Sequence, residues 1–334
     1  MINRFLFSAA IDSIGKGVQK PTVDYQRCSN RLQKKQECTA CREVCPTGAV
    51  SYQKQITIDA EKCGKCYLCS GVCPTGCITT NGSFIKSNDT TDTVVISCED
   101  GENRFKVPCL ASLPWEFYAY LSYKTPICMD TRDCGKCQVK AKPNIDAVDE
   151  RLKIFWGNEY KQKILQDPSA VQQGLSRREF FGIFSKTLKD VKKSIDEISI
   201  KDVEKEKGMS VFRKLLVKEL APDKAYNWLV PSITEACWGC SVCEKLCPNN
   251  AIKIKQNEMH IDALYCSGCG LCKLTCLDQA VAGLATRSAS KVDSVVTSPV
   301  NAKQCESCGT NMKPSMEGEI CGMCKKRNLK SGKS

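Results

Sequence analysis

Cysteine constrains this chain more than any other residue type: it accounts for 26 of 334 residues, and most of them fall in tight runs. Cys237, Cys240, Cys243 and Cys247 are separated by two, two and three residues and followed by Pro248. Cys266, Cys269, Cys272 and Cys276 repeat the spacing, with Leu277 in place of the proline. Near the N-terminus Cys63, Cys66, Cys69, Cys73 and Pro74 form the same run. Cys38, Cys41, Cys45 and Pro46 form it without its first member, where Lys35 stands. Cys28, ten positions before Cys38, is the natural substitute if a longer loop folds back. Disulfide scaffolds are short and secreted. Here the opening apolar run is broken by Asp12, too early for a signal-peptide core, and no apolar stretch nears the roughly 18 residues of a membrane span. The expectation is a soluble, cytoplasmic, metal-laden protein of two or three domains.

The runs also align outside the thiols. Cys45-Pro46-Thr47-Gly48-Ala49-Val50, through Ile56-Thr57-Ile58-Asp59 to Cys63, matches Cys247-Pro248-Asn249-Asn250-Ala251-Ile252, through Met259-His260-Ile261-Asp262 to Cys266. One module is therefore present twice. Over residues 27–85 and 232–285 both copies resemble the bacterial-type ferredoxin with two 4Fe–4S clusters, a family whose modules pass single electrons. In that family three thiolates of a run take three corners of one iron–sulfur cube, and the fourth ligates the neighbouring cube. The resemblance thus implies four cubes. Cys28, Cys38, Cys41 and Cys73 would hold the first; Cys63, Cys66, Cys69 and Cys45 the second. Cys237, Cys240, Cys243 and Cys276 would hold the third, and Cys266, Cys269, Cys272 and Cys247 the fourth. Cys77 occupies the place of Ala49, Ala251 and Ala280 and reads as a small buried filler. His260, the only histidine, aligns with Thr57 and reads as a surface strand position.

Two further cysteine groups remain. Cys305 and Cys308, then Cys321 and Cys324, form two knuckles that resemble a zinc ribbon; four thiolates suit tetrahedral Zn²⁺ or a rubredoxin-type iron. A segment this short needs a metal to fold, which favours structural zinc. In the middle, residues 93–98, 105–109 and 125–130 read as strands around a helix over 110–123 with Pro114 in its first turn. This small α/β unit places Cys98 and Cys109 at strand ends and Cys134 and Cys137 in the following loop. The four can converge on one metal site, zinc or a further iron–sulfur cluster, or be simple buried and free thiols. Cys128, inside the third strand, reads as core.

Residues 138–231 carry no cysteine. Phe181, Phe184, Leu188, Val191, Ile195 and Ile198 form an apolar helical seam, opened by Ser176 and Glu179 with capping-box spacing. Ser176-Arg177-Arg178-Glu179-Phe180-Phe181 resembles a twin-arginine export motif, but it is internal and no continuous apolar core follows. Its seam packs either on this chain's own modules or on a partner. A double-arginine helix beside ferredoxin modules also resembles the ferredoxin-type accessory proteins of periplasmic nitrate reductase systems, which makes a metalloenzyme maturation role the alternative function.

Lys and Arg number 49 against 37 Asp and Glu, a formal net charge of +12. Each cube or zinc with its four thiolates carries about 2−, so four cubes and one zinc leave about +2, and nucleic-acid attraction is not expected. No dinucleotide or phosphate-binding glycine loop follows a strand, and one histidine rules out a histidine-based triad. The expected function is electron transfer without catalysis or a small-molecule substrate, between a redox-protein donor and acceptor of an anaerobic oxidoreductase complex. The expected fold is α+β: ferredoxin-like modules over 1–88 and 232–290, the α/β unit over 89–145, a charged helical linker over 146–231, and a zinc ribbon over 300–330.

Overall fold

The computed structural model describes residues 20–32, 38–79, 86–88, 94–98, 104–137, 139, 141–165, 168, 209–255 and 257–330. The seam 176–198 and the N-terminal 19 residues lie outside this set. The chain divides into two compact units, Met1–Asn227 and Trp228–Ser334. Among the described residues no helix is long and apolar enough to cross a membrane.

The first unit opens with a module whose core is largely sulfur. Val50–Tyr52 and Ile56–Ile58 form a hairpin with Val50 opposite Ile58. Thr22–Val23 pairs antiparallel with Ile78–Thr79. Ile56 and Ile58 point inward while Thr57 faces water, the period-two pattern of a half-buried strand. Three one-turn helices, Ser29–Leu32, Ala40–Glu43 and Leu68–Gly71, carry or adjoin the thiols. The buried cluster consists of Val50, Ile56, Ile58 and Ile78 together with Cys28, Cys41, Cys69 and Cys77. The aliphatic part of this core is small for a module of some sixty residues.

Beyond it lies a five-stranded sheet in the order Lys86–Asn88, Arg104–Lys106, Val94–Ser97, Ile127–Met129, Ile164–Leu165. The first pair is antiparallel and the others parallel. The three central strands are those read from sequence. The sheet reaches further than residues 89–145, taking one edge from 86–88 and the other from 164–165. Pro114 stands at the N-cap of helix Trp115–Lys124, after a 3-10 turn Leu110–Ser112, and so precedes the helix instead of lying in its first turn. The helix Lys142–Trp156 straddles the expected boundary at 145 and packs as part of this unit: Ile145, Val148, Leu152 and Phe155 recur on one face and are buried. Phe155 stacks on Tyr226 at 5.1 Å, and the Trp156 indole donates to Ser122 Oγ at 3.0 Å. The helix Val211–Glu219, capped by Ser210, brings Arg213 to a buried ion pair with Glu116, Nη1 to Oε1 3.3 Å.

The second unit repeats the hairpin, with Ile252–Lys255 against Glu258–Asp262 and Ile252 opposite Ile261, and adds Val295–Pro299 as a third antiparallel strand. Tyr226–Ile233, whose first two residues precede the unit, pairs with Val281–Ala289. The Trp228 indole, 1% exposed, donates to Ala289 O. Short helices Val242–Leu246 and Leu271–Thr275 follow the second thiol of each run. The C-terminal segment has a two-residue ladder, Lys303–Gln304 with Asn311–Met312, and the helix Gly322–Lys330. His260 lies on the middle strand, partly exposed beside the Glu258 carboxylate, with no other candidate ligand grouped around it among the described residues.

Candidate metal centres

The backbone of the cysteine runs is the same in three of the four arms. The residues on either side of the second thiol, Lys65 and Tyr67, Gly239 and Ser241, Gly268 and Gly270, all have left-handed φ between 55° and 74°. This αL–Cys–αL path curls the loop so that its thiols face one point, at a cost of about 1 kcal/mol for each residue with a Cβ. In the arm lacking its first cysteine, the residue after Cys38, Thr39, has φ −108°. That loop does not curl, and Cys28 arrives from the preceding 3-10 turn Tyr25–Arg27 instead. A second repeated turn follows the fourth thiol. Gly48, Gly76, Asn250 and Gln279 are left-handed in all four arms. The turn aims the next amide at the sulfur: Cys77 N to Cys73 Sγ 3.2 Å, Ala251 N to Cys247 Sγ 3.3 Å, and Ala280 N to Cys276 Sγ 3.2 Å. The Ala49 amide serves Cys45 in the same way. Amides aimed at sulfur stabilise thiolate charge.

Four thiol quartets result. Burial pushes the Cys41 thiol up to about 11, with Cys73, Cys38 and Cys28 as its neighbours. Burial pushes Cys69 up to about 12, and its neighbours are Cys66, Cys41, Cys45 and Cys63. In the second unit burial raises Cys237, whose neighbours are Cys240 and Cys276, and pushes Cys243, beside Cys240 and Cys237, up to about 12. Cys272 is likewise pushed up to about 12 by burial beside Cys266, Cys269 and Cys243, and Cys269 neighbours Cys247. In each module the third thiol of one run, Cys41 or Cys243, also faces the third thiol of the other, Cys69 or Cys272. The quartets of a module therefore adjoin. Such buried thiols stay protonated until a metal displaces the proton, and an all-sulfur donor set with amide support fits an iron–sulfur cluster.

The C-terminal thiols are packed differently. Cys305, Cys308, Cys321 and Cys324 lie within 4.8 Å of one another, with Cys308 Sγ 3.8 Å from Cys321 Sγ. Metal–sulfur bonds of about 2.3 Å in a tetrahedron give sulfur–sulfur edges of about 3.8 Å, so the pocket fits one ion, zinc or iron. The Thr310 hydroxyl, 3.3 Å from Cys308 Sγ, and the Thr310 amide hold that thiol down to about 6. The Cys321 amide donates to Cys305 Sγ at 3.2 Å.

In the α/β unit Cys98, Cys109, Cys134 and Cys137 share one neighbourhood at the carboxyl edge of the parallel strands, while Cys128 is fully buried in the sheet.

Three features have no sequence signature. Cys77 is more than a filler: it lies against two sulfurs of the first quartet, so that its S–H holds Cys73 down to about 5 and Cys28 down to about 6. Asp278, two residues past Cys276, accepts from the Trp238 indole at 2.7 Å and pairs with Lys313 Nζ at 2.5 Å. Together with Asn301 N to Cys237 O at 2.7 Å, this seats the C-terminal segment on the loop of the third quartet. Gly71 is the third: a Cβ there would stand 1.9 Å from Ala111 O.

The sequence matches the 4Fe–4S binding domain family over residues 56–79 and 230–253, one arm of each module. No curated protein and no solved structure matches the chain. The two matches support ferredoxin-like modules holding 4Fe–4S clusters, and iron–sulfur electron transfer with redox partners.

Proposed function

We propose that this chain is a cytoplasmic polyferredoxin that relays single electrons through four 4Fe–4S clusters, as a subunit or partner of an anaerobic oxidoreductase complex. The observation that supports the reading is the crossed gathering of the thiols: each quartet takes its fourth member from the paired run, three quartets take the other three from one run, and in the first Cys28 joins Cys38 and Cys41 in place of the missing cysteine. A bound cluster supplies one-electron chemistry. The chain's own residues do the rest. Cys28, Cys38, Cys41 and Cys73, Cys63, Cys66, Cys69 and Cys45, Cys237, Cys240, Cys243 and Cys276, and Cys266, Cys269, Cys272 and Cys247 serve as ligands. The amides of Ala49, Cys77, Ala251 and Ala280 offset thiolate charge. The approach of Cys41 to Cys69, and of Cys243 to Cys272, keeps the two centres of a module within transfer range.

Cys240 is exposed, and around its quartet Val242, Leu274 and Leu277 present apolar side chains to solvent, Leu277 at 74% exposure where the other arms have proline. An apolar rim at an exposed ligand suits brief docking of a redox protein. The Cys305–Cys324 site holds zinc as a structural brace for this loop through Asp278 and Asn301.

Stepwise reductive titration of anaerobic protein, followed by EPR, tests the reading. Uptake of at least about four electrons per chain, with spectra broadened by coupling between paired clusters, is expected. Uptake of about one electron with uncoupled spectra, or none that reverses, contradicts it.

A further inference from the structure

We infer that Cys98, Cys109, Cys134 and Cys137 hold a fifth iron–sulfur cluster, and not a zinc ion, at the carboxyl edge of the central sheet. Topology brings the four together. Ser97 pairs with Lys106 and Ile96 with Met129 in parallel register, so the three strands end level with one another. Ser97 O accepts from Val107 N at 2.8 Å and Ile96 O from Asp130 N at 2.9 Å, extending the ladders to the loops that carry the thiols. Cys98 follows the first strand directly. Cys109 is the buried, extended N-cap of the 3-10 turn Leu110–Ser112, just past the end of the Arg104–Lys106 strand. Cys134 is held by a turn, Cys134 N to Thr131 O at 3.0 Å. The carboxyl edge of parallel strands is where open α/β sheets place their ligands.

Spacing decides what the site takes. A single tetrahedral ion draws all four sulfurs to about 3.8 Å of one another. The C-terminal four meet that condition, and among the described residues they are the only group of three or more Cys, His or carboxylate ligands within 4.8 Å. The central four do not, although Cys109 has the other three as neighbours and Cys134 has Cys98 and Cys137. The sixteen ferredoxin thiols behave the same way: grouped, yet wider than one ion allows. Thiolates on separate irons of a cluster stand roughly 6–7 Å apart, because each lies one bond outside its own iron. Hard ligands are absent from the donor set, which suits iron and sulfide. The surroundings fit as well. Cys109 is buried, and the Tyr118 ring that backs the site is fully buried, its hydroxyl donating to Leu110 O at 2.6 Å.

The site adjoins the second quartet. Helix Leu68–Gly71 contains Cys69, the turn Leu110–Ser112 follows Cys109, and the two pack so closely that only glycine fits at position 71 against Ala111 O. A cluster here extends the first module's pair by one centre; that extension, unlike the identity of the cofactor, rests on the relay proposed above.

The test compares anaerobically prepared full-length protein with two variants, Cys137→Ser at the exposed ligand and Cys109→Ala/Cys134→Ala. Iron, acid-labile sulfide and zinc are counted per chain, with Mössbauer spectra of ⁵⁷Fe-labelled material. Each variant is expected to lose about two to four irons with matching sulfide and to keep its zinc, the size of the loss telling a two-iron from a four-iron cluster. Loss of about one zinc with iron unchanged overturns the inference, as does no metal loss in either variant. If the double variant does not fold, Cys137→Ser and the parent's own zinc count decide: about two zincs per chain in the parent contradict the fifth cluster. Because the readout is a difference between parent and variant, it stands apart from the total expected of the ferredoxin modules.

Discussion

Replacing Cys77 with alanine isolates one interaction at the first quartet. The side chain is 1% exposed, and its thiol is pushed far up by the hydrogen bonds it gives to Cys28 and Cys73 and by burial. Three of the four arms already carry alanine here, so Cys77→Ala fits the space and leaves the backbone bond from residue 77 to Cys73 Sγ in place. What disappears is a donor to two thiolates whose charge grows when the cluster takes an electron. A hydrogen bond to a charged acceptor is worth about 1.5–3 kcal/mol, and sulfur is a weak donor. About 1 kcal/mol of this is taken as the difference between oxidised and reduced states. With 59 mV per factor of ten for one electron, that converts to a potential lower by about 40 mV. EPR-monitored redox titration of parent and variant reads the shift on one component only, with iron content as the control. An unchanged potential at full iron occupancy, or a rise, refutes the hydrogen-bond assignment.

Other perturbations give equally definite outcomes. Arg213→Ala strands the Glu116 carboxylate, 8% exposed, in the interior and is expected to cost about 3–5 kcal/mol, read as a fall in the urea midpoint; Arg213→Met with Glu116→Leu should recover most of it. Gly71→Ala forces apart the contact with Ala111 and should destabilise the first unit by about 1–3 kcal/mol, while Gly64→Ala, whose nearest neighbour is Thr47 Cγ2 at 3.8 Å, should be nearly silent. Removing the C-terminal ion with a chelator should unfold helix Gly322–Lys330 and make the bonds after the already exposed Lys325 and Lys326 cleavable by trypsin while the iron–sulfur absorbance persists; resistance to cleavage after metal loss would mean the segment holds itself without an ion.

The thiol quartets were legible because their chemistry is local. A run spaced two, two, three specifies its loop, and Pro46, Pro74 and Pro248 mark where the chain turns away. The absence of a first cysteine at Lys35 was equally readable, and the structure places Cys28 beside Cys41 and Cys73. The strand carrying Thr57 and its counterpart His260 was readable, whereas the hairpin pairing, with Ile252 facing Ile261, was not. What stayed hidden depends on partners distant in sequence. Ile164–Leu165 is too short to show any period, and its strand character comes from the neighbouring Ile127–Met129. Helix Val211–Glu219 reads as part of a charged linker until Arg213 meets Glu116, 97 residues away. Cys77 looks like an alanine substitute because only the fold reveals the two sulfurs beside it. The central cysteines could be grouped by strand order, whereas the argument for a cluster over one ion draws on their spacing, which sequence does not give.

The central claim is that sixteen of these thiols ligate cubes of iron and sulfide. Acid-labile sulfide per chain, measured on protein purified without oxygen, tests it most directly. About 16 sulfides or more, with an equal number of irons and a brown absorbance that bleaches on reduction, is the predicted result. Colourless protein free of sulfide and carrying several zincs would contradict it.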